Sequence, residues 1–306
     1  MITAPAPAEI LGIGAITPLG RDLAVIAKNL AAKPPARGEM LRVADDLLSE
    51  PAIARSMRRA DRFIRMAAIA ALDAWNQAAP SCADIAREQI GLIVTSGLGP
   101  HCRGFKFLDG ILDAGDSNAL PTDFSHSVHG AAASYIAGLL DLRGPSLTAT
   151  DFEIGFEQAV LLAQCWLQQG TCRRVLVGSV EELGEPMISM TKKLLAGKES
   201  IAPAEGAVFL MLAPSDVAGI ATLDAATVPD KTDLLASEYP SIAPDAGATP
   251  QIAAARSTTF TPYFGHSASS SAMQLLGALL SIPVVDNATT FRTSCGKVVA
   301  LHVSRT

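Results

Sequence analysis

The run of residues 143–178, RGPSLTATDFEIGFEQAVLLAQCWLQQGTCRRVLVG, constrains the fold of this chain more than any other stretch. Gly144-Pro145 is a turn signal, because proline fixes its own φ and glycine accepts conformations that other residues avoid. Residues 146–150, SLTAT, are β-branched at Thr148 and Thr150 and free of glycine and proline, which suits a short strand. Over residues 153–169 apolar side chains such as Ile154, Phe156, Val160, Leu161, Leu162 and Trp166 cover nearly the whole circumference of a helix. A helix with no wet face has to be buried between layers. Gly170 stands in the usual C′ position, and Val175-Leu176-Val177 reads as a buried strand. The unit is strand, buried helix, strand.

A chain of 306 residues, 49% of them hydrophobic, has the means to bury a large core. Its formal net charge of −6 argues against a nucleic-acid footprint, and its basic residues are dispersed apart from Arg55, Arg58, Arg59, Arg62 and Arg65. The five cysteines, Cys82, Cys102, Cys165, Cys172 and Cys295, form no CxxC pair and are odd in number, so neither a zinc site nor a disulfide framework is expected. A reducing cytoplasm is the expected compartment. The N-terminus has no basic n-region and no continuous apolar h-region. No stretch reaches the roughly 18 uninterrupted apolar residues of a membrane span.

The run at 143–178 resembles the nucleophile region of the β-ketoacyl-acyl-carrier-protein synthases, in which Gly-Pro, a strand and a small-residue turn deliver a cysteine to the N-terminus of a buried helix. Matching Gly155 to the glycine after the family's cysteine puts Phe152 in the nucleophile position. Counting from Gly144-Pro145 without a gap puts Glu153 there instead. Neither is a thiol.

Other segments continue the resemblance in order. The opening run at 10–20, ILGIGAITPLG, fails the dinucleotide fingerprint, because Thr17 stands where the third glycine should pack the helix, and it is similar to the structural first strand and turn of ketosynthases. A helical stripe over 57–76 follows, then a buried strand ending in small residues at 90–99 and a helix over 105–112 that in this family reaches toward a dimer partner. A small-residue helix is read within 122–142. His126 and His129 precede its alanine run; a carboxylate would have to join them to make a metal site, and the resemblance implies capping or cavity lining instead. Glu181-Glu182 and Glu205-Gly206 match the family's acidic turns.

The second half departs from the pattern. It is short, residues 224–260 are polar with a weak helix signal at 232–238, and no histidine lies between His129 and His266. Gly265-His266 resembles the family's glycine–histidine segment, with Thr261 in the lysine position and a small-residue helix over 270–282 behind it. The strand pair at 291–303 resembles the closing hairpin, with Ser294 where a phenylalanine gates the acyl channel.

The resemblance implies an α/β, thiolase-like layered αβαβα fold with two pseudo-repeated halves, 1–215 and a shortened 216–306, forming one compact unit. It implies no cofactor and no metal. Condensation needs a thiolate and two neutral histidines, and of these three groups only His266 has a counterpart. The expectation is therefore a non-condensing ketosynthase-like subunit, similar to chain-length factors, in fatty acid or polyketide-type synthesis. Its expected partner is an active ketosynthase as a heterodimer, or a second copy of itself. Arg55, Arg58, Arg59 and Arg62 form a candidate docking patch for the acidic acyl carrier protein. The alternatives are an acyl-thioester enzyme, a decarboxylase or acyltransferase, using His266, and a homodimeric acyl- or carrier-protein-binding protein.

Overall fold

The computed structural model describes residues 5–32, 40–115, 119–194, 202–228, 261–264, 267, 270–281, 287–294 and 297–304. Eight strands form one mixed sheet: β1 (Ala8–Ile16), β2 (Ile90–Ser96), β3 (Ser146–Thr150), β4 (Arg174–Glu181), β5 (Gly206–Pro214), β6 (Ala221–Val228), β7 (Asn287–Ser294) and β8 (Lys297–Ser304). They lie in the order β3-β2-β4-β5-β1-β6-β8-β7. β3, β2 and β4 are parallel, and every other neighbouring pair is antiparallel.

The helices are α1 (Leu23–Leu30), α2 (Arg62–Cys82), α3 (His101–Ala114), α4 (Pro121–Ser127), α5 (Ala131–Leu140), α6 (Gly155–Gln168), α7 (Glu185–Leu194), α8 (Thr261–Phe264) and α9 (Ser270–Ser281). α2 and α5 cover one face of the sheet. α1, α6 and α9 share the core on the other face.

The glycines of β1 explain the close fit of α2. A Cβ at Gly14 would stand 1.9 Å from the Ala70 carbonyl oxygen, and one at Gly12 2.2 Å from that of Ala74. The strand therefore lies directly on the helix backbone, where Ala70 and Ala74 also have almost no side chain to interpose. The glycine-rich opening is a packing device, as the failed nucleotide pattern implies.

The buried strand–helix–strand unit is present. β3 has the expected bounds, and α6 has only two exposed residues, Gln158 and Gln168. On one side α6 meets β2, β4 and β5, and it also meets β6 and β8 of the second half. Gln164, 1% exposed, donates from Nε2 to the Leu223 carbonyl at 3.0 Å and fastens the helix to β6.

The repeat is visible in the topology. In the first half β1 pairs with β5, which pairs with β4, and α6 precedes β4. In the second, β6 pairs with β8, which pairs with β7, and α9 precedes β7. The two halves join where Ala8, Glu9 and Ile10 of β1 pair antiparallel with Leu223, Thr222 and Ala221 of β6.

Several boundaries differ from expectation. α2 starts five residues later than the stripe at 57–76, at Arg62 behind the cap Asp61, whose side chain accepts from the Ile64 N–H at 3.1 Å. The helix expected within 122–142 is two helices, broken where Val128 turns to extended backbone before Gly130. α3 outgrows 105–112 in both directions. The weak helix signal at 232–238 lies outside the described residues.

Candidate functional site

The carboxyl ends of the parallel strands β3, β2 and β4 open on the same edge of the sheet, the place where α/β sheets present ligand and catalytic groups. The end of β3 is the nucleophile turn of the sequence reading. Asp151 Oδ1 accepts from the backbone N–H groups of Glu153 and Ile154, both at 2.7 Å, and so fixes the turn that leads into α6, whose own N-cap, Ile154, makes no side-chain cap bond. Phe152 is 54% exposed and Glu153 is exposed, whereas Ile154, Gly155 and Phe156 are buried. Neither candidate supplies a thiol. Cys82, Cys102, Cys165 and Cys172, the cysteines among the described residues, all lie elsewhere.

Next to this turn the Asp151 N–H bonds to the Ser96 carbonyl at 3.2 Å. The Ser96 hydroxyl donates to Glu181 Oε1 at 3.0 Å, and the Gly97 N–H donates to the same oxygen. Glu181 is fully buried, and burial pushes its carboxyl up to about 7 against these hydrogen bonds. Glu182 is pushed up to about 7 for the same reason; its Oε1 accepts from the Cys102 N–H at 2.8 Å.

His101 and Cys102 begin α3 directly beside Glu182. Burial pulls the His101 imidazole below its ordinary range. Cys102 is exposed on its outer side, yet burial of the sulfur and the neighbouring Glu182 carboxyl push its thiol up to about 12. This cluster escaped the sequence reading. Its signal was a histidine–cysteine pair shortly after one strand and a glutamate pair at the end of another, the two strands being a parallel pair.

The histidines singled out in the sequence do not converge. His126 is buried, its Nε2 is 2.9 Å from the Tyr135 hydroxyl, and its ring stands edge-on to that of Tyr135 at 5.4 Å. His129 packs against Gly99, where a Cβ would lie 2.6 Å from its Cδ2. Both pack against neighbouring residues of the fold, and neither α4 nor α5 has a side-chain cap bond. His266 and Cys295 lie outside the described residues. Thr261 begins α8, and Ser294 and Lys297 face each other across the β7–β8 hairpin.

Arg62 corrects the basic patch. Its guanidinium is held inside by Glu205, with Nε at 3.0 and 3.2 Å from the two carboxylate oxygens and Nη2 at 2.5 Å from Oε1. Glu205 also receives the Val43 and Leu183 N–H groups, both at 3.0 Å. Arg65 is likewise turned inward, to the carbonyls of Ala60 and Met57 at 2.9 and 3.1 Å. Arg55, Arg58 and Arg59 remain exposed.

Residues 7–193 match the family model described as "Beta-ketoacyl synthase, N-terminal domain". This chain belongs to the β-ketoacyl synthase family. The ketosynthase fold is borne out by solved structures at low identity. "The ishigamide ketosynthase/chain length factor" is 17% identical with a TM-score of 0.77, covering 98% of this chain and 99% of that one. "AntDE:AntF (apo): type II PKS acyl-carrier protein in complex with its ketosynthase bound to the hexaketide" is 16% identical with a TM-score of 0.77, covering 99% and 100%. A β-ketoacyl synthase from Burkholderia phymatum STM815 is 14% identical with a TM-score of 0.78, covering 98% and 99%. No curated protein matches the sequence. The layered, thiolase-like ketosynthase architecture is therefore present. Among the described residues no helix is long and apolar enough to cross a membrane.

Proposed function

We propose that this ketosynthase-like chain is a non-condensing subunit that pairs with an active ketosynthase and shapes the product it makes, as a chain-length factor does, in polyketide-type or fatty acid synthesis. The observation that carries the reading is that neither Phe152 nor Glu153, the two residues the sequence offers for the nucleophile position, bears a thiol, and that Phe152 is a large apolar side chain, 54% exposed, just beyond the open edge strand β3. A phenyl ring has no nucleophilic atom, and a glutamate beside it would be a poor acyl carrier.

The surroundings favour a partner. β3 is the last strand of the sheet and carries Leu147, 40% exposed, next to unpaired backbone. Open edges beside apolar side chains are liabilities that proteins cover. Phe105, Leu108 and Leu112 of α3 add further exposed apolar surface above the end of β2. Two of the solved structures of the same fold are described as a ketosynthase with a chain length factor and as a ketosynthase with its acyl-carrier protein, which fits such a pairing. Arg55, Arg58 and Arg59 offer the acidic carrier protein a basic surface.

The test is co-expression with a cysteine-bearing ketosynthase from the same organism, followed by purification through a tag on the ketosynthase. A stable one-to-one complex is expected, with product length that depends on this chain. Intact-protein mass spectrometry after incubation with acyl-thioester should show no adduct on the wild type and at most slow self-acylation of Phe152→Cys. Stable acylation or condensation by the isolated chain, or its absence from the complex, would overturn the reading.

A further inference from the structure

We propose that His101, Cys102 and Glu182 form a zinc-binding site at the joint between α3 and β4. One ligand atom from each residue lies within 4.8 Å of the others. Zinc takes one nitrogen, one sulfur and one oxygen at about 2.0–2.3 Å in a tetrahedron whose fourth corner is open to water or substrate. Such spacing puts ligand atoms roughly 3.3–3.8 Å apart, so small side-chain rotations complete the set.

The orientation of His101 is the independent sign of a ligand. Its Nδ1 faces the Gly99 carbonyl oxygen at 3.3 Å, which favours the tautomer with the proton on Nδ1 and the lone pair on Nε2. That Nε2 is buried, in a residue only 7% exposed, and has no hydrogen-bond partner among the described residues. A buried polar atom left unmatched costs about 1–3 kcal/mol. It points where the sulfur points: a Cβ at Gly184 would lie 2.7 Å from His101 Nε2 and 2.3 Å from Cys102 Sγ. Imidazole and thiol thus converge over one bare stretch of backbone, with Glu182 two residues before it.

The supports are those a metal centre uses. A carbonyl orients the histidine, and the carboxylate is held by the Cys102 N–H. Gly99 is fixed by the Ser96 hydroxyl at 2.9 Å. A thiolate ligand selects zinc over magnesium or calcium. On binding, the Cys102 S–H bond breaks, its electron pair goes to the metal and its proton to solvent. The bound ion would tie the first turn of α3, the helix bearing Phe105, Leu108 and Leu112, to the end of β4.

The experiment uses the untagged full chain, stripped with a chelator and titrated with zinc against a colorimetric chelator, and with cobalt(II) as a spectroscopic substitute. One equivalent of zinc should bind, and the cobalt form should show a thiolate charge-transfer band. Cys102→Ser and His101→Gln should each weaken zinc by more than the roughly 10–100-fold that loss of an outer partner costs. Gly184→Ala, which leaves all three ligands in place and fills the point where they converge, should weaken it as well. His126→Gln should leave it unchanged. No stoichiometric zinc, no thiolate band in the wild type, or equal affinity in Cys102→Ser and His101→Gln would overturn the proposal. If those variants fail to fold, the wild-type cobalt spectrum decides. All readouts are on the isolated chain, so they stand apart from the test of subunit pairing.

Discussion

Arg62→Met tests the claim that this arginine belongs to the interior and not to a docking surface. Methionine keeps an apolar stem against α2's surroundings and removes only the charged fork. Glu205 would then hold an ionised carboxyl, 0% exposed, on two backbone N–H donors at 3.0 Å. Removing one partner of a buried ion pair costs about 3–5 kcal/mol, and losing charge-assisted hydrogen bonds accounts for about 1.5–3 kcal/mol of it. The guanidinium is 23% exposed, so water already screens part of the pair and the lower end, about 3 kcal/mol, is expected. The Asp45 contact adds little, because that carboxylate is 92% exposed.

The assay is denaturant unfolding of wild type, Arg62→Met, Glu205→Leu and the double variant. The midpoint should fall in each single variant at unchanged slope. The double variant should lose less than the sum of the singles, since it leaves no buried charge uncompensated. A loss below about 1 kcal/mol in Arg62→Met, or additive losses, would refute the buried-pair argument and return Arg62 to the surface patch.

Gly14→Ala should prevent folding or cost several kcal/mol by circular dichroism and thermal melting, because its Cβ would lie 1.9 Å from the Ala70 carbonyl oxygen, which is backbone and has nowhere to go. Leu147→Lys should leave the melting temperature within a degree or two and abolish copurification with the ketosynthase; unchanged pairing would place the partner elsewhere. His302, opposite Asp224 in the β6–β8 ladder, has its pKa lowered by burial although Asp224 acts to raise it. The folded chain therefore binds this proton less readily than the unfolded chain, and the stability present above the unfolded pKa of about 6.5 is lost as pH falls through it. His302→Asn should make the decline between about pH 7 and 5 shallower in a pH series of unfolding curves.

Legibility in the sequence followed the range of the interaction. β3 could be placed to the residue, because Gly-Pro and a β-branched run define it locally, and α6 to within two residues, because its apolar girth is a property of the helix itself. The alanine stripe at 131–140 hid the break before it, since small residues carry no phase that a turn could visibly interrupt. Arg62 looked like its basic neighbours, because its partner Glu205 lies 143 positions away. His101, Cys102 and Glu182 were invisible as a group for the same reason: parallel pairing of β2 with β4 brings residues 80 positions apart to one edge, and no local spacing encodes that.

The packing also shows how little the core depends on the turn before α6. At the entry to α6 exposure changes within three residues, from Phe152 and Glu153 outside to Ile154, Gly155 and Phe156 inside. Asp151 holds this turn with its own carboxylate, which accepts from the Glu153 and Ile154 N–H groups. Phe152, 54% exposed, adds little to the core. The core is decided elsewhere. β1 and β6 share only three residue pairs, so the two halves also cohere through α6, which meets strands of both, shares a core with them through Val160 and Ala163 and bonds β6 through Gln164, and through α9 packed beside it. Val160→Ala removes two methyl groups from a fully buried position in that shared layer, and it should destabilise the protein by about 1–3 kcal/mol in one cooperative transition. Two separated transitions would mean that the halves fold as independent units and that the central helix does not join them.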